Sequence, residues 1–219
     1  MNNLKVNNFI AIFGGTFDPI HLGHLNVAEQ ICQKLPIDEV RFIPCYQSPT
    51  RQCPPIATAE QRLAMLKLAT VNHSHYLVDD RELVRQGPSY MIDTLKELKS
   101  EQNENVFALV LGMDAFADFD HWRDWQNILT LSHLILVDRP NYQTSLKPNI
   151  AKLLIHQEVK DSQKLLSKNF GNIIRLDIVP KAISATMIRE KIFKKQGVKD
   201  LIPPQVWLYI DQHQLYLNL

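Results

Sequence analysis

The chain is 219 residues long, 45% hydrophobic and 21% charged, the composition of an ordinary soluble globular protein with material for a sizeable core. Its 24 basic and 23 acidic side chains leave a formal charge of +1, which excludes the broad basic footprint that duplex nucleic acid requires but not a small anion held by local charges. The cysteines Cys32, Cys45 and Cys53 are odd in number and form no C-x-x-C pair, which argues against a disulfide scaffold and fits reduced thiols in a cytoplasm; Cys45 and Cys53, eight apart with no nearby partner, leave a zinc site open as the weaker reading.

Phe9 to Phe13 (FIAIF) is an apolar run that ends against Gly14-Gly15. It is too short for a signal peptide and reads as a strand buried on both faces. Leu25, Ala28, Ile31, Cys32 and Leu35 follow at helical spacing. Val40 to Pro44 is the next strand, and Thr58 with Gln61 forms a capping box before the helix of Leu63, Leu66 and Ala69. His73 and His75 flank the entrance of a short strand, Tyr76 to Val78, where two exposed side chains are a simpler reading than half a metal site. Ser89 is placed to cap a helix whose inner face is Ile92, Leu95 and Leu98. Val106 to Gly112 and His133 to Val137 are further strands. Thr130, Ser132 and His133 interrupt the apolar stretch before Val137, so nothing there spans a membrane.

Pro140 to Pro148 reads as a loop and Ile150 to Val159 as a helix, followed by a strand at Asn172 to Ile178 and a last helix after Pro203-Pro204 carrying Val206, Trp207 and Ile210. The alternation predicts an α/β fold, a doubly wound and mostly parallel Rossmann-like sheet with helices on both faces. Residues 1–219 form one domain in this reading, with the C-terminal helices packed on it. Ligands of such sheets bind beyond the carboxyl ends of the strands, at the topological switch point.

Two stretches have the chemistry of anion sites. Gly14 to His24 (GGTFDPIHLGH) follows the first strand. Its glycines suit a tight turn and close ligand approach, and a helix beginning near His21 would aim backbone N–H groups at an anion. His21 and His24, three apart, would share one helix face; the same pair could equally cap the first turn. The stretch is neither G-x-G-x-x-G nor a P-loop, which excludes the dinucleotide dehydrogenases and P-loop kinases. Ile183 to Arg189 (ISATMIR) follows the last strand. Ser184 reads as an N-cap, and Thr186 lies on one face with Arg189, so hydroxyls and a guanidinium converge at a helix end. A capped surface helix is the plainer alternative.

Together these stretches resemble the nucleotidylyltransferase superfamily, whose T/H-x-G-H element stands here as His21-Leu22-Gly23-His24. Within it the chain is most similar to the bacterial nicotinate-nucleotide adenylyltransferase family over essentially its whole length. The further matches are Arg81 to Leu95 (RELVRQGPSYMIDTL), Leu109 to Phe116 (LVLGMDAF), His121 to Trp125 (HWRDW) and Val137 to Tyr142 (VDRPNY). The resemblance implies transfer of AMP from ATP to nicotinate mononucleotide, giving deamido-NAD and pyrophosphate. It implies catalytic roles for His21, His24 and Arg189, and ATP binding by Gly14, Gly15, Thr16, Phe17, His21, His24, Ser184, Thr186 and Arg189. Nicotinate mononucleotide would meet Arg51, Ser89, Tyr90, Met91, Asp114, Trp122 and Arg139. For Asp114 and Trp122 the bland alternatives are a helix N-cap and a core tryptophan.

Mg²⁺ is expected mainly on the ATP phosphates, with no dedicated protein cage. No nucleic acid or membrane is expected as a partner, the location is cytoplasmic, and a homo-oligomer is left open. The chain departs from the family pattern at Cys45, Thr50, Met91 and Ala185. The alternatives are another phosphorylated acceptor (nicotinamide mononucleotide or phosphopantetheine) or a non-catalytic nucleotide-binding paralogue.

Overall fold

The computed structural model describes residues 7–50, 53–138, 145–179 and 181–218. The elements run β1 (Phe9–Gly15), α1 (Leu22–Lys34), β2 (Glu39–Pro44), α2 (Ala59–Thr70), β3 (Tyr76–Val78), α3 (Arg81–Arg85), α4 (Met91–Glu101) and β4 (Val106–Gly112). After β4 come α5 (Met113–Ala117), a 3₁₀ turn (Phe119–His121), α6 (Trp125–Ile128), β5 (His133–Asp138) and α7 (Pro148–Gln157). The chain continues through β6 (Glu158–Val159), α8 (Ser162–Leu165), β7 (Ile173–Asp177), α9 (Ala185–Phe193) and α10 (Pro204–Gln212).

The strands form one 7-stranded sheet in the order β3-β2-β1-β4-β5-β7-β6, and every adjacent pair is parallel. The order reverses between β1 and β4, which opens a crevice at their carboxyl ends. Alternation along β1 builds both layers of the core. Phe9 and Ala11 face Ala28 and Ile31 of α1, Leu66 of α2, Ile188 of α9 and Ile210 of α10. Ile10 and Ile12 face Leu95 of α4, Phe116 of α5, Ile128 of α6 and Ile150 of α7. Each large side chain among these, Phe, Ile or Leu, contributes about 1.5–3 kcal/mol by its burial. The doubly wound architecture read from the sequence is the one observed.

Local features differ from the sequence reading at three places. Helix α7 stops at Gln157, and Glu158–Val159 instead pair with Ile173 and Ile174 of β7 as the edge strand. Ser89 does not cap α4. The N-cap is Tyr90, and the Ser89 Oγ accepts the Tyr46 N–H at 2.9 Å, tying the loop after β2 to the start of α4. Helix α1 starts at Leu22, with His21 as an extended N-cap residue outside the helix. The Thr58–Gln61 capping box is formed in both directions. His73 and His75 are exposed, and Cys32, Cys45 and Cys53 form no disulfide. Among the described residues no helix is long and apolar enough to cross a membrane.

Candidate active site

The carboxyl end of β1 carries Gly14 and Gly15, and neither has a positive φ. The sharp turn expected at the glycines falls instead at Phe17, whose φ is 51°. The glycines serve close approach: a Cβ on Gly14 would stand 3.0 Å from the Met91 methyl, and one on Gly15 would stand 2.9 Å from the Phe17 ring. Phe17 itself is buried in the core, edge-on to Phe13, Phe42 and His24.

His21 and His24 form a reciprocal capping box. The His21 Nδ1 accepts the Gly23 N–H at 3.1 Å, and the His24 Nδ1 accepts the His21 N–H at 3.3 Å. The rings stack with centroids 3.7 Å apart and an interplanar angle of 23°. Because each Nδ1 accepts a backbone proton, a neutral ring at either position carries its own proton on Nε2. The pair is thus close by capping and stacking rather than by sharing a helix face. The backbone donors expected to face an anion are already used: Gly23 N–H by the His21 cap, Leu22 N–H by the Leu201 carbonyl at 2.9 Å, and His24 N–H by the His21 carbonyl at 3.0 Å. What this helix end offers an anion is imidazole chemistry.

The second motif reaches the same place. Ser184 is the N-cap of α9, its Oγ accepting the Met187 N–H at 3.2 Å. Arg189 donates through Nη1 to the Asp18 carbonyl at 2.7 Å and through Nη2 to the Thr186 Oγ1 at 3.2 Å. A Cβ on Gly23 would stand 3.4 Å from the Ile183 carbonyl oxygen. Both motifs therefore line one cavity of about 470 Å³ with His21, His24, Ser184, Thr186 and Arg189 in its wall. Asp114 lines this cavity too, as the second residue of α5, two past the N-cap Gly112. Lys181, which sequence reasoning did not single out, adds a second cation there.

A second cavity of about 580 Å³ lies beside the first and shares Phe13, Val110 and Gly112 with it. Gly14, Gly15, Thr16, Ser89, Tyr90, Met91 and Trp122 all line this one. The glycines and Thr16 therefore face the aromatic side of the crevice rather than the histidine side. Trp122 is half-buried, packed 5.6 Å from the Phe119 ring. The departures Cys45 and Thr50 stand in the same wall. Arg51 and Arg139 lie outside the described residues.

Glu82 also faces this cavity, 3% exposed. Burial pushes its carboxyl above the usual carboxylate range, while the Thr94 hydroxyl, donating at 2.6 Å, opposes that shift.

Two further residues support the crevice. Arg62 of α2 is 1% exposed and donates from Nη1 to the carbonyls of Thr16 at 2.8 Å and Cys45 at 2.7 Å. It clamps the ends of β1 and β2 from below. Asp18, read from sequence only as half of an Asp-Pro turn, is buried and accepts the Ile56 and Ala57 N–H groups and the Tyr216 hydroxyl. Nothing local marks Arg62, since one polar residue in a helix is ordinary; only the tertiary fold buries it.

Residues 12–191 match the cytidylyltransferase-like family. A probable nicotinate-nucleotide adenylyltransferase of Coxiella burnetii is 40% identical over 210 residues, covering 94% of this chain and 97% of the relative. Another from Methylococcus capsulatus is 36% identical over 208 residues, covering 94% and 99%. The chain belongs to the nicotinate-nucleotide adenylyltransferase family. The fold agrees. The nicotinic acid mononucleotide adenylyltransferase of Plasmodium falciparum, solved in complexes with APC and with NaAD, superposes with a TM-score of 0.71 at 21% identity over 96% of this chain and 98% of that one. In this member of the nicotinate-nucleotide adenylyltransferase family, no group of three His, Cys, Asp or Glu side chains among the described residues could hold a metal ion.

Proposed function

We propose that this protein transfers AMP from ATP to nicotinate mononucleotide, releasing pyrophosphate and forming deamido-NAD. The observation that carries the reading is the pair of adjoining cavities. One is walled by the stacked histidines and the Ser184–Arg189 helix end, the other by Tyr90 and Trp122, and they meet at Phe13, Val110 and Gly112.

The chemistry needs little more than alignment. An oxygen of the mononucleotide phosphate attacks the α-phosphorus of ATP, and the bond from that phosphorus to the β-phosphate oxygen breaks. The attacking phosphate is already ionised, so no general base is needed; catalysis lies in holding two anions in line and stabilising charge on the equatorial oxygens. The Nε2 donors of His21 and His24 serve the α-phosphate. Ser184, Thr186 and Arg189 serve the departing pyrophosphate, and Gly14, Gly15 and Thr16 let the reacting groups approach β1 closely. Phe17, from its buried place, shapes the turn beneath them.

On the acceptor side, Trp122 and Tyr90 offer flat faces to the pyridine ring, with Ser89 and Met91 beside them and Arg51 and Arg139 completing the proposed set. Mg²⁺ would enter on the ATP phosphates and neutralise their charge, with Asp114 as the carboxylate of the first cavity able to meet it. The test is pyrophosphate release with ATP, Mg²⁺ and each candidate acceptor in turn. Release fastest with nicotinate mononucleotide is expected. Release with no acceptor, or a clear preference for nicotinamide mononucleotide or phosphopantetheine, overturns the reading.

A further inference from the structure

Glu82 is a buried carboxyl in the wall of the second cavity, and the proposed chemistry gives it no task. Its Oε1 accepts the Thr94 hydroxyl at 2.6 Å, while the Thr94 Oγ1 accepts the Arg85 Nη2 at 3.0 Å. The Ser89 hydroxyl is the other donor that favours the ionised form of this carboxyl, and the Ser89 Oγ accepts the Tyr46 N–H at 2.9 Å. Each hydroxyl thus receives a proton from a group that can only donate, a guanidinium or a peptide N–H, and has its own single proton left for Glu82. Two relays converge on one carboxylate. The charged groups that bear on it are Arg85, 3.9 Å away, and Glu97, which Arg85 pairs at 2.7 Å.

The Ser89 relay runs further. The peptide group whose N–H reaches Ser89 is the one whose carbonyl, that of Cys45, accepts the Arg62 Nη1 at 2.7 Å. Donation therefore runs in one sense from a buried guanidinium, through a peptide and a hydroxyl, to a buried carboxylate, an order in which each bond polarises the next. The segment it crosses is the rim of the cavity. Ser89 N–H donates to the Gln47 carbonyl at 2.8 Å, and Gln47 and Pro88 form a parallel bridge. The loop after β2 and the start of α4 are thereby joined side by side, Ser48 and Thr50 of one and Ser89 and Met91 of the other facing the cavity.

The geometry points to Glu82 as a positioning residue for the acceptor: as a carboxylate it holds the Ser89 hydroxyl in the orientation that fastens the loop after β2 to the start of α4, and so sets the shape of the second cavity. The inference rests on the proposed reading that the acceptor occupies that cavity. Charge, not volume, is what the place requires. In E82Q the amide keeps the size of the side chain but turns an NH₂ donor toward a hydroxyl that is already accepting, and in a buried site water does not relieve the misfit. The described walls of the first cavity include none of Glu82, Ser89 and Tyr46, so the hold on ATP is expected to stay as it is.

The experiment measures the KM for nicotinate mononucleotide at saturating ATP, and the KM for ATP at saturating mononucleotide, in the wild type, E82Q, S89A and the double variant. In E82Q the acceptor KM is expected to rise about tenfold with the KM for ATP unchanged. Because Glu82 acts through Ser89, adding E82Q to S89A is expected to change the acceptor KM little; two effects that multiply overturn the inference. So does an unchanged acceptor KM in E82Q, or an equal rise in both KM values, the mark of a fold loosened throughout. E82D keeps the charge but withdraws it by one methylene; it is read in the same way if E82Q does not fold, with a rise in the acceptor KM alone expected. Hydrogen exchange at the Tyr46 N–H reads the fastening without any substrate. It is expected to quicken in E82Q, and unchanged protection also overturns the inference. The wild-type reaction separates the two claims: without pyrophosphate release from ATP and nicotinate mononucleotide, the proposed function fails, and exchange at Tyr46 still decides what Glu82 holds. With release by the wild type and the acceptor KM unmoved in E82Q, the inference about Glu82 alone fails.

Discussion

His24 combines two tasks in one ring, and its two nitrogens allow them to be separated. Nδ1 accepts the His21 N–H and closes the capping box; Nε2 is the atom proposed to meet the α-phosphate. Asparagine places an oxygen near the Nδ1 position but has nothing at Nε2. H24N is therefore expected to fold with stability within about 1 kcal/mol of the wild type, while turnover falls about 10²–10³-fold, the loss that follows removal of one preorganised donor. H24A loses both functions and is expected to match H24N in turnover but melt lower. Thermal melts and steady-state pyrophosphate release on the three proteins make the comparison. Turnover in H24N near that of the wild type would reduce the pair to a helix cap. The neighbouring Gly23 shows how little room the arrangement leaves. A Cβ there would stand 2.8 Å from the His21 Nδ1, so G23A is expected to displace the His21 ring and lower turnover by at least about tenfold at unchanged ATP and acceptor concentrations.

Between elements, the strands were legible where both faces are apolar. β4 buries six of its seven residues and β1 its first four, from Phe9 to Ile12, and such runs admit few other readings. β6 was not legible, because a two-residue strand has no period of its own and its Val159 continues the apolar pattern of α7. The partners of Ser89 and Arg62 were hidden for the same reason: each bonds to backbone brought in by another part of the chain, which no local pattern encodes. His133, legible only as the first residue of a strand, joins β5 to the segment that leads from α8 into β7. Its Nδ1 accepts the Asn172 N–H at 3.1 Å and its Nε2 stands 3.1 Å from the Lys168 carbonyl. Burial lowers its pKa from the ordinary 6.5 to about 4. Between those values the unfolded chain binds a proton that the folded chain refuses. This contribution to stability is thus fully present above pH 6.5 and is lost as pH falls toward 4, to the extent of about 3 kcal/mol. H133N retains an acceptor for the Asn172 N–H and does not titrate in this range. Melting temperature plotted against pH is expected to fall less steeply between 6.5 and 4 in H133N than in the wild type; parallel curves would show that His133 does not govern this acid limb.

Across the whole molecule, the last turns of the chain are fastened to the first loop through Asp18. The Tyr216 hydroxyl donates to the Asp18 Oδ1 at 2.7 Å across 198 residues of sequence, and the same carboxylate accepts the N–H groups of Ile56 and Ala57 at 2.8 and 3.1 Å. On its other side the Asp18 carbonyl takes the Arg189 guanidinium. One residue thus ties the GGTFDP turn, the segment leading into α2, the C-terminal tail and the proposed pyrophosphate site into one frame. Asp18 and Tyr216 are 4% and 3% exposed, so water cannot replace a lost bond. Y216F removes only the hydroxyl and leaves a buried carboxylate short of a donor, a loss of about 1–3 kcal/mol. For a chain of this size that corresponds to a melting temperature lower by about 2–12 °C. A looser Asp18 also loosens the carbonyl that holds Arg189, so the KM for ATP is expected to rise in Y216F while the acid-to-amide product ratio, set on the far side of the crevice, stays at the wild-type value. Melting, the ATP dependence of pyrophosphate release and the ratio of the two dinucleotides formed from an equimolar mixture of nicotinate and nicotinamide mononucleotides test these statements on one preparation. An unchanged melting temperature would show that the tail is not held through Asp18. A shifted product ratio would show instead that the frame and the acceptor cavity move together.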